Sequence, residues 1–261
     1  MLQTLTTRRH PLNTSILNRF TARQPAVLSQ LTCALGLALA ATAVQVHAAN
    51  VYVSNEKDNK IVVFDAQGKQ TSTIDVCKRP RHLMFNADKS RIYVCCGDSN
   101  ELGVVDRAAG KLLETVPLGD SPEIFDLSPD GKLAYVSIED ESVLAAYDLA
   151  TKKEVFRVKT GGEPEGVLVS RDGKTAYVTS EEANVVHVID LVAKKVSKNI
   201  KVGKRPRRFA LTPDGSELWI SNELSADVSI VDTNTHAVKA TVKFDIKGMR
   251  KADITPVGVL L

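Results

Sequence analysis

The chain has 261 residues, with 34 lysines and arginines against 31 acidic residues and a formal net charge of +3. Residues 1–48 hold four of the arginines and no acidic residue, so the remainder carries 30 basic and 31 acidic side chains. Proteins that bind nucleic acid usually present a strongly basic surface. This near-neutral balance therefore argues against a nucleic-acid partner.

Residues 1–48 have the composition of an export signal. Arginines are followed by an apolar run, 26–44, and by small residues that predict cleavage after Ala48. A membrane anchor is the alternative, but the run is rich in alanine, contains polar residues and is barely long enough to span a bilayer. We expect a periplasmic protein without a stable anchor. Export through the general secretory route is favoured over the twin-arginine route, because Pro11 stands where that signal usually has an aromatic residue.

The rest of the chain, 49–261, repeats one pattern about every 42 residues. An aromatic anchor, a strand-ending aspartate and a proline each keep this spacing. They are Tyr52, Tyr93, Tyr135, Tyr177 and Trp219; Asp65, Asp106, Asp148, Asp190 and Asp232; and Pro80, Pro122, Pro164 and Pro206. A fixed period of this length predicts a repeat architecture. The repeats start near residues 51, 80, 122, 164 and 206, and a partial strand starts at 254.

Within one repeat, apolar and polar residues alternate with a period of two, which predicts strands. In the repeat after Pro164 these strands are 166–170, 175–179, 185–189 and 196–202. Pro-Asp-Gly turns such as 129–131 suit hairpins, and the repeated aspartates are expected to bond amides two residues on, a structural role. Four short antiparallel strands in about 42 residues make one propeller blade. The sequence predicts an all-β fold, a single β-propeller domain of four-stranded antiparallel blades with about five repeats.

Three cysteines follow the leader: Cys77, Cys95 and Cys96. An odd number argues against a disulfide framework. The adjacent pair falls at the end of a predicted strand, so two buried or half-exposed thiols are expected there. A vicinal disulfide, which would distort the strand, is the alternative.

The strings YVS, YVT, VxVID and SPDG resemble the YVTN-type β-propeller repeat, and the resemblance covers 51–261. The string VYVSNEKDN at 51–59 and the junctions at 78–81, 163–166 and 255–259 carry a finer similarity. They resemble the periplasmic propellers associated with PQQ-dependent alcohol catabolism. That group usually has seven blades. This chain departs from it, since about two repeats are missing.

Two arrangements are compatible with five repeats. The segment 257–261 reads as a first strand and Val51 begins a second strand, so the two ends could pair, complete one mixed blade and close a five-bladed ring without open edges. Alternatively, the repeats form part of a seven-bladed arrangement.

Charged residues vary between otherwise similar repeats at the proline junctions. Since strands alternate in direction, these junctions share a face with the loops that join strands two and three. Blades two and five are basic there, and blades three and four are acidic. The predicted binding rim consists of Arg79, Arg81, His82, Glu123, Glu163, Glu165, Arg205, Arg207 and Arg208. Variation on a repeated frame favours a binding site; ordinary solvated loop charges are the alternative.

The sequence has no CxxCH, HExxH, GxSxG or P-loop motif, and we predict no catalytic residues, metal ligands or cofactor. His82 is expected to be a hydrogen-bonded residue at the channel mouth rather than a haem or metal ligand. Trp219 takes the place of the anchor tyrosine, so we expect it to pack and not to hold a quinone.

The resulting functional hypothesis is a non-catalytic periplasmic binding or scaffold module. The finer resemblance implies a partner in PQQ-linked alcohol oxidation, namely a dehydrogenase, its cytochrome or a small anionic ligand. The alternative is a lactonase-like enzyme or a non-covalent haem carrier, in which His82 and the rim arginines would serve an anionic substrate.

Overall fold

The computed structural model describes residues 50–261, and the regular secondary structure of this part of the chain is almost entirely antiparallel β-sheet. Its strands are β1 Val51–Asn55, β2 Lys60–Phe64, β3 Gln70–Asp75, β4 Pro80–Phe85, β5 Arg91–Cys96, β6 Glu101–Asp106, β7 Lys111–Pro117, β8 Pro122–Leu127, β9 Leu133–Ile138, β10 Val143–Asp148, β11 Lys153–Lys159, β12 Pro164–Val169, β13 Thr175–Ser180, β14 Val185–Asp190, β15 Lys195–Lys201, β16 Pro206–Leu211, β17 Glu217–Asn222, β18 Asp227–Asp232 and β19 Ala237–Lys243. Two short 3-10 helices cover Glu223–Ser225 and Lys251–Asp253. The predicted export signal and its cleavage after Ala48 lie outside the described residues. In the described part, no helix combines the length and apolarity needed to span a membrane.

The strands form five antiparallel sheets, and within each sheet every strand pairs with the next one in the chain. Blade one is β1–β3, blade two β4–β7, blade three β8–β11, blade four β12–β15 and blade five β16–β19. Consecutive blades pack face to face through four apolar clusters, each of which draws residues from two neighbouring blades. The fold is a β-propeller, as the sequence predicts, because a blade is apolar on both faces and only neighbouring blades can cover it.

The repeated turns have the predicted chemistry. Gly131, Gly173 and Gly215 have φ values of 68°, 68° and 75°, a region that favours glycine. The repeated aspartates accept amides that follow them; Asp190, for example, accepts from the amides of Val192 and Ala193 at 2.9 and 2.8 Å. Their structural role is therefore confirmed.

The innermost strand of each complete blade begins earlier than predicted. It starts at the junction proline, so β12 begins at Pro164 rather than at 166. A proline is tolerated at the first position of a strand, where its missing N–H leaves no gap in the ladder. The register between β12 and β13 shifts between Pro164 and Val167, which lets the junction residues turn toward the neighbouring blades.

One hydrogen bond recurs between consecutive blades. The donor is a serine or threonine near the end of β1 in blade one, or near the end of the second strand in the other blades. It donates to the carbonyl oxygen of the residue after the next junction proline. The bonds are Ser54 to Arg81 (2.7 Å), Ser137 to Glu165 (2.6 Å), Thr179 to Arg207 (3.2 Å) and Ser221 to Val257 (2.6 Å). Cys95 occupies this position in blade two. The bond fixes the position of each blade along the propeller axis relative to the next blade.

The two ends of the described chain do not complete a shared blade. The sheet that contains β1 has three strands, and residues 254–261 belong to none of the five sheets. Of the two arrangements compatible with the sequence, the mixed blade is therefore not observed in residues 50–261. Instead, the recurrent bond from Ser221 to Val257 places the C-terminal segment against blade five.

The expectation of two thiols at Cys95 and Cys96 is confirmed for Cys95 and wrong for Cys96. Cys77 and Cys96 form a disulfide with a Cα–Cα distance of 5.7 Å, and Cys95 is a buried free thiol. Pro80 and Cys96 are register partners in the pairing of β4 with β5, so the junction that leads into Pro80 brings Cys77 next to the end of β5. With three cysteines not every one can be paired, but one disulfide and one free thiol are possible.

Candidate functional site

The predicted rim residues converge at one end of the four innermost strands. Arg81, Glu123, Glu165 and Arg207 each follow the proline that begins β4, β8, β12 and β16, and so occupy equivalent positions in four consecutive blades. We call these four residues the inner row. Their order along the chain is basic, acidic, acidic, basic.

A second set of charges comes from the residue that follows β1 in blade one and the second strand in each of the other four blades. It is glutamate in four blades and glycine in blade two: Glu56, Gly97, Glu139, Glu181 and Glu223. We call these five positions the outer row. A Cβ atom on Gly97 would lie 2.7 Å from Nη1 of Arg79, so the Arg79 guanidinium occupies the space that a side chain would take there.

Ion pairs join the inner row across blades two, three and four. Arg81 pairs with Glu123 of blade three and lies 3.5 Å from Oε1 of Glu165 in blade four. Arg79 adds a second guanidinium 3.3 Å from Glu123. Glu165 also pairs with Arg208 and lies 3.3 Å from Arg207. Each of the two buried carboxylates therefore faces at least two guanidinium groups.

The outer row extends this network at both ends. Arg205 and Arg207 of blade five share Glu181 of blade four, with Arg205 Nε 2.6 Å from the carboxylate. Both arginines also lie within 3.6 Å of Glu223. At the other end, Glu56 of blade one lies 3.5 Å from Arg81. The network links all five blades.

Acidic and basic members of this network differ in their exposure. The Glu123, Glu165 and Glu181 side chains are only 1–4% exposed, whereas the arginines paired with them are 15–41% exposed. The carboxylates lie underneath and the guanidinium groups lie above them. Above these three carboxylates the more exposed groups are arginine N–H donors, whereas Glu56 and Asp98, which lie beside Arg79, are 48% and 61% exposed.

Burial weakens the acidity of two carboxylates of the network, Glu123 and Glu181. Burial raises the pKa of Glu123 to about 7; the neighbouring Glu165 carboxylate adds to the shift, and Arg81 and Arg79 oppose it. Burial also raises the pKa of Glu181, against the effect of Arg207 and Arg205. The network therefore holds its charges at a considerable desolvation cost.

His82 is partly buried and packs against blade three, so it does not lie free at the channel mouth. Its ring packs against Phe125 with the centroids 5.0 Å apart, and Nδ1 is buried without a hydrogen-bond partner. Burial, followed by the Arg208 charge, lowers the pKa of His82 to about 4, so the imidazole is neutral at pH 7. Trp219 is partly buried, and its Nε1 donates to Glu217 of the same strand at 3.1 Å.

The structure brings together every predicted rim residue except one. Glu163 has a φ of 48°, and its carbonyl oxygen accepts the Glu181 amide at 3.0 Å, but its side chain forms no ion pair with the described residues. Within residues 50–261, no cluster of His, Cys, Asp and Glu side chains is arranged to hold a metal ion.

The rim predicted from the sequence does not include Glu56 and Glu223. A signal for Glu223 was available, because Glu139, Glu181 and Glu223 are each 42 residues apart. That spacing alone does not reveal that Glu181 and Glu223 lie next to Arg205 and Arg207.

Comparison with known proteins supports the fold. Residues 130–209 match a family model described as a YNCE-like beta-propeller, and residues 18–117 match one described as a lactonase, 7-bladed beta-propeller. Among solved structures, hydrazine synthase of Kuenenia stuttgartiensis is similar, with a TM-score of 0.69 and 24% identity over 80% of this chain. The match covers 66% of that chain, and at this identity it shows the fold alone. The search of curated proteins gave no match.

Proposed function

We propose that this protein is a binding module that recognises an anionic group through the arginines above the inner row. The observation that carries the proposal is the layering of the network, in which Glu123, Glu165 and Glu181 are buried and the paired arginines remain accessible. Guanidinium groups present planar sets of donors that match carboxylates, and here the buried acids hold them in place. Preorganised donors lose little conformational entropy on binding.

The proposed setting is the periplasm, and the proposed partner belongs to PQQ-linked alcohol oxidation: a dehydrogenase, its cytochrome or a small anionic ligand. The sequence resemblance at 51–59 and at the proline junctions supports this assignment. The Cys77–Cys96 disulfide is compatible with it, because disulfides persist in oxidising compartments. In this proposal the module positions its partner and performs no chemistry itself.

Binding to an immobilised PQQ-dependent alcohol dehydrogenase, and separately to its cytochrome, tests the proposal. The variant Arg79→Gln/Arg205→Gln removes two of the more exposed guanidinium groups, and Arg171→Gln, in the turn between β12 and β13 on the opposite face, is the matched control. We expect at least tenfold weaker binding for the double variant, a steep salt dependence, and no change for the control. Equal affinity of both variants, or no binding by the wild type, would refute the proposed role.

A lactonase-like activity is the second candidate, and the match of residues 18–117 to the lactonase propeller model favours it. In that case the arginines would orient the carboxylate or the ester oxygen of a lactone. Hydrolysis of a panel of γ- and δ-lactones, followed by pH-stat titration, distinguishes the two candidates. Turnover that disappears in Arg79→Gln/Arg205→Gln would replace the binding-module proposal.

A further inference from the structure

A glycine stands at the same place in three of the junctions between blades, and in two of them a ring of the following blade accepts its N–H. Gly119 donates to the hydroxyl oxygen of Tyr147 at 2.9 Å. Gly161 donates to Nε2 of His187 at 2.8 Å. Gly203 lies 42 residues after Gly161, and within residues 50–261 its N–H has no hydrogen-bond acceptor. The interface between blades four and five therefore leaves this donor open.

Blade five has no ring that could reach Gly203. Ser229 takes the position of His187, and Val231 takes the position of Tyr147. The shorter side chains leave an open slot of about 530 Å³ between blades four and five. The residues that line it include Lys201, Gly203, Asp227, Ser229, Thr241 and Lys243. Both walls belong to blades that pack against each other, so the slot is a feature of their interface.

The buried side chains around this slot are polar. Asn222, Asp227 and Ser229 are buried, whereas the equivalent residues of blade three are the buried apolar residues Ile138, Val143 and Ala145. Nδ2 of Asn222 donates to Asp227 at 2.7 Å and to Ser229 at 2.9 Å. Its Oδ1 is buried without a hydrogen-bond partner in the described part of the chain. Polar groups that converge on an open slot are typical of a small-molecule site.

Each wall of the slot also contributes a lysine. Lys201 ends β15 of blade four, and Lys243 ends β19 of blade five. Neither lysine forms an ion pair with any residue of 50–261, although Lys243 is the register partner of Asp227. Two ammonium groups that flank one slot favour a ligand with a negative charge.

We propose that this slot binds a small heteroaromatic carboxylate. The ring takes the place that the His187 imidazole fills at the preceding interface, and one of its nitrogens accepts the Gly203 N–H. In blade four the other ring nitrogen, Nδ1, lies 2.7 Å from Oδ1 of Asn199, and Thr241 holds the position of Asn199 in blade five. The carboxylate lies between the two lysines. The slot shares no residue with the ion-pair network, so this site is separate from the anion-binding face proposed above.

Titration of the full chain, labelled with ¹⁵N-glycine, with imidazoleacetate tests the site by NMR. The titration is run at about pH 8, where an imidazole ring is neutral. We expect the Gly203 amide proton to move downfield as it gains an acceptor. The amides of Gly119 and Gly161 should stay in place, because their acceptors are already present. A Gly203 amide that does not respond at millimolar imidazoleacetate would overturn the proposal.

The variant Ser229→His fills the slot with the side chain that blade four has. It should move the Gly203 amide downfield without any added compound and abolish the response to imidazoleacetate. Ser72→His, on the exposed part of β3, is the matched control and should bind like the wild type. Thermal melting verifies that both variants are folded. Equal binding by Ser229→His and the wild type would place the compound elsewhere and overturn the proposal.

The variant Lys201→Gln/Lys243→Gln tests recognition of the carboxylate and changes only exposed residues. We expect its affinity for imidazoleacetate to fall about fivefold, as for an exposed ion pair, and its affinity for uncharged imidazole to stay the same. Lys153→Gln/Lys195→Gln removes two exposed lysines at the starts of β11 and β15 and should bind both compounds like the wild type. Equal affinity of the two double variants for imidazoleacetate would refute the placement of the carboxylate.

Discussion

Removal of the Cys77–Cys96 disulfide should destabilise the protein by an amount that follows from its loop length. The two cysteines are 19 residues apart, and closure of a loop of that size restricts the unfolded chain by roughly 3 kcal/mol. For a domain of this size, such a loss lowers the melting temperature by roughly 6–12 °C. The bond joins the junction before β4 to the end of β5, so its loss also loosens the contact between blades one and two.

Thermal melting by circular dichroism, with and without reductant, measures this effect. The double variant Cys77→Ala/Cys96→Ala should melt at the lower temperature in both conditions. Cys95→Ala is the matched control, since it also truncates a buried cysteine but leaves the disulfide intact. Reductant should lower the melting temperature of the control as much as that of the wild type. Wild-type melting that does not respond to reductant would refute the reasoning.

Three further predictions concern groups buried between blades. Burial raises the pKa of Glu123 from 4.5 to about 7. Between these pH values the folded protein retains a proton that the unfolded chain releases. The free energy of unfolding of the wild type therefore falls as the pH rises through this window. Glu123→Gln has no such titration, so its stability does not fall in this way. Urea titrations should show the stability of Glu123→Gln relative to the wild type increasing from pH 4.5 to 7, by up to about 3 kcal/mol. A difference that stays constant with pH would contradict the raised pKa of Glu123. Ser137→Ala removes a buried donor to the Glu165 carbonyl and should cost about 1–3 kcal/mol in the same assay. Cys95→Ser introduces a hydroxyl at the equivalent position in blade two, where it can reach the Glu123 carbonyl, and should cost less than Ser137→Ala; an equal or larger cost would show that the recurrent bond does not form there.

The repeated features of the fold were predictable because they follow from local chemistry. Strand alternation, the Pro-Asp-Gly turns and the aspartates each act within a few residues, and the 42-residue period confirms them several times over. The strand that begins at Pro164 was placed two residues late, because a proline usually marks a loop and the exception for the first residue of a strand depends on pairing. That pairing depends on the whole sheet and cannot be derived from the residues around the proline alone.

Contacts between blades were harder to predict. The charges of Arg81 and Glu123 were evident from the sequence, but their pairing depends on equivalent positions in two blades lying next to each other. The Cys77–Cys96 bond has the same origin, since it depends on the register of β4 with β5. Sequence reasoning located the charges on one face, and only the packed structure showed which of them are buried.

The recurrent hydrogen bond explains how the inner row can vary while the blades remain aligned. At Arg81, Glu165 and Arg207 the backbone carbonyl accepts the bond from the preceding blade, and the side chain of the same residue takes part in the ion-pair network. The carbonyl is present whatever the side chain is, so a change of charge at these positions leaves the alignment of the blades intact. The order of charges along the row then decides which residues pair. Because the two acidic positions are adjacent and flanked by arginines, the acids are covered from both sides and the guanidinium groups form the outer surface. In this way one repeated frame supports a face whose charge pattern is set by a few junction residues.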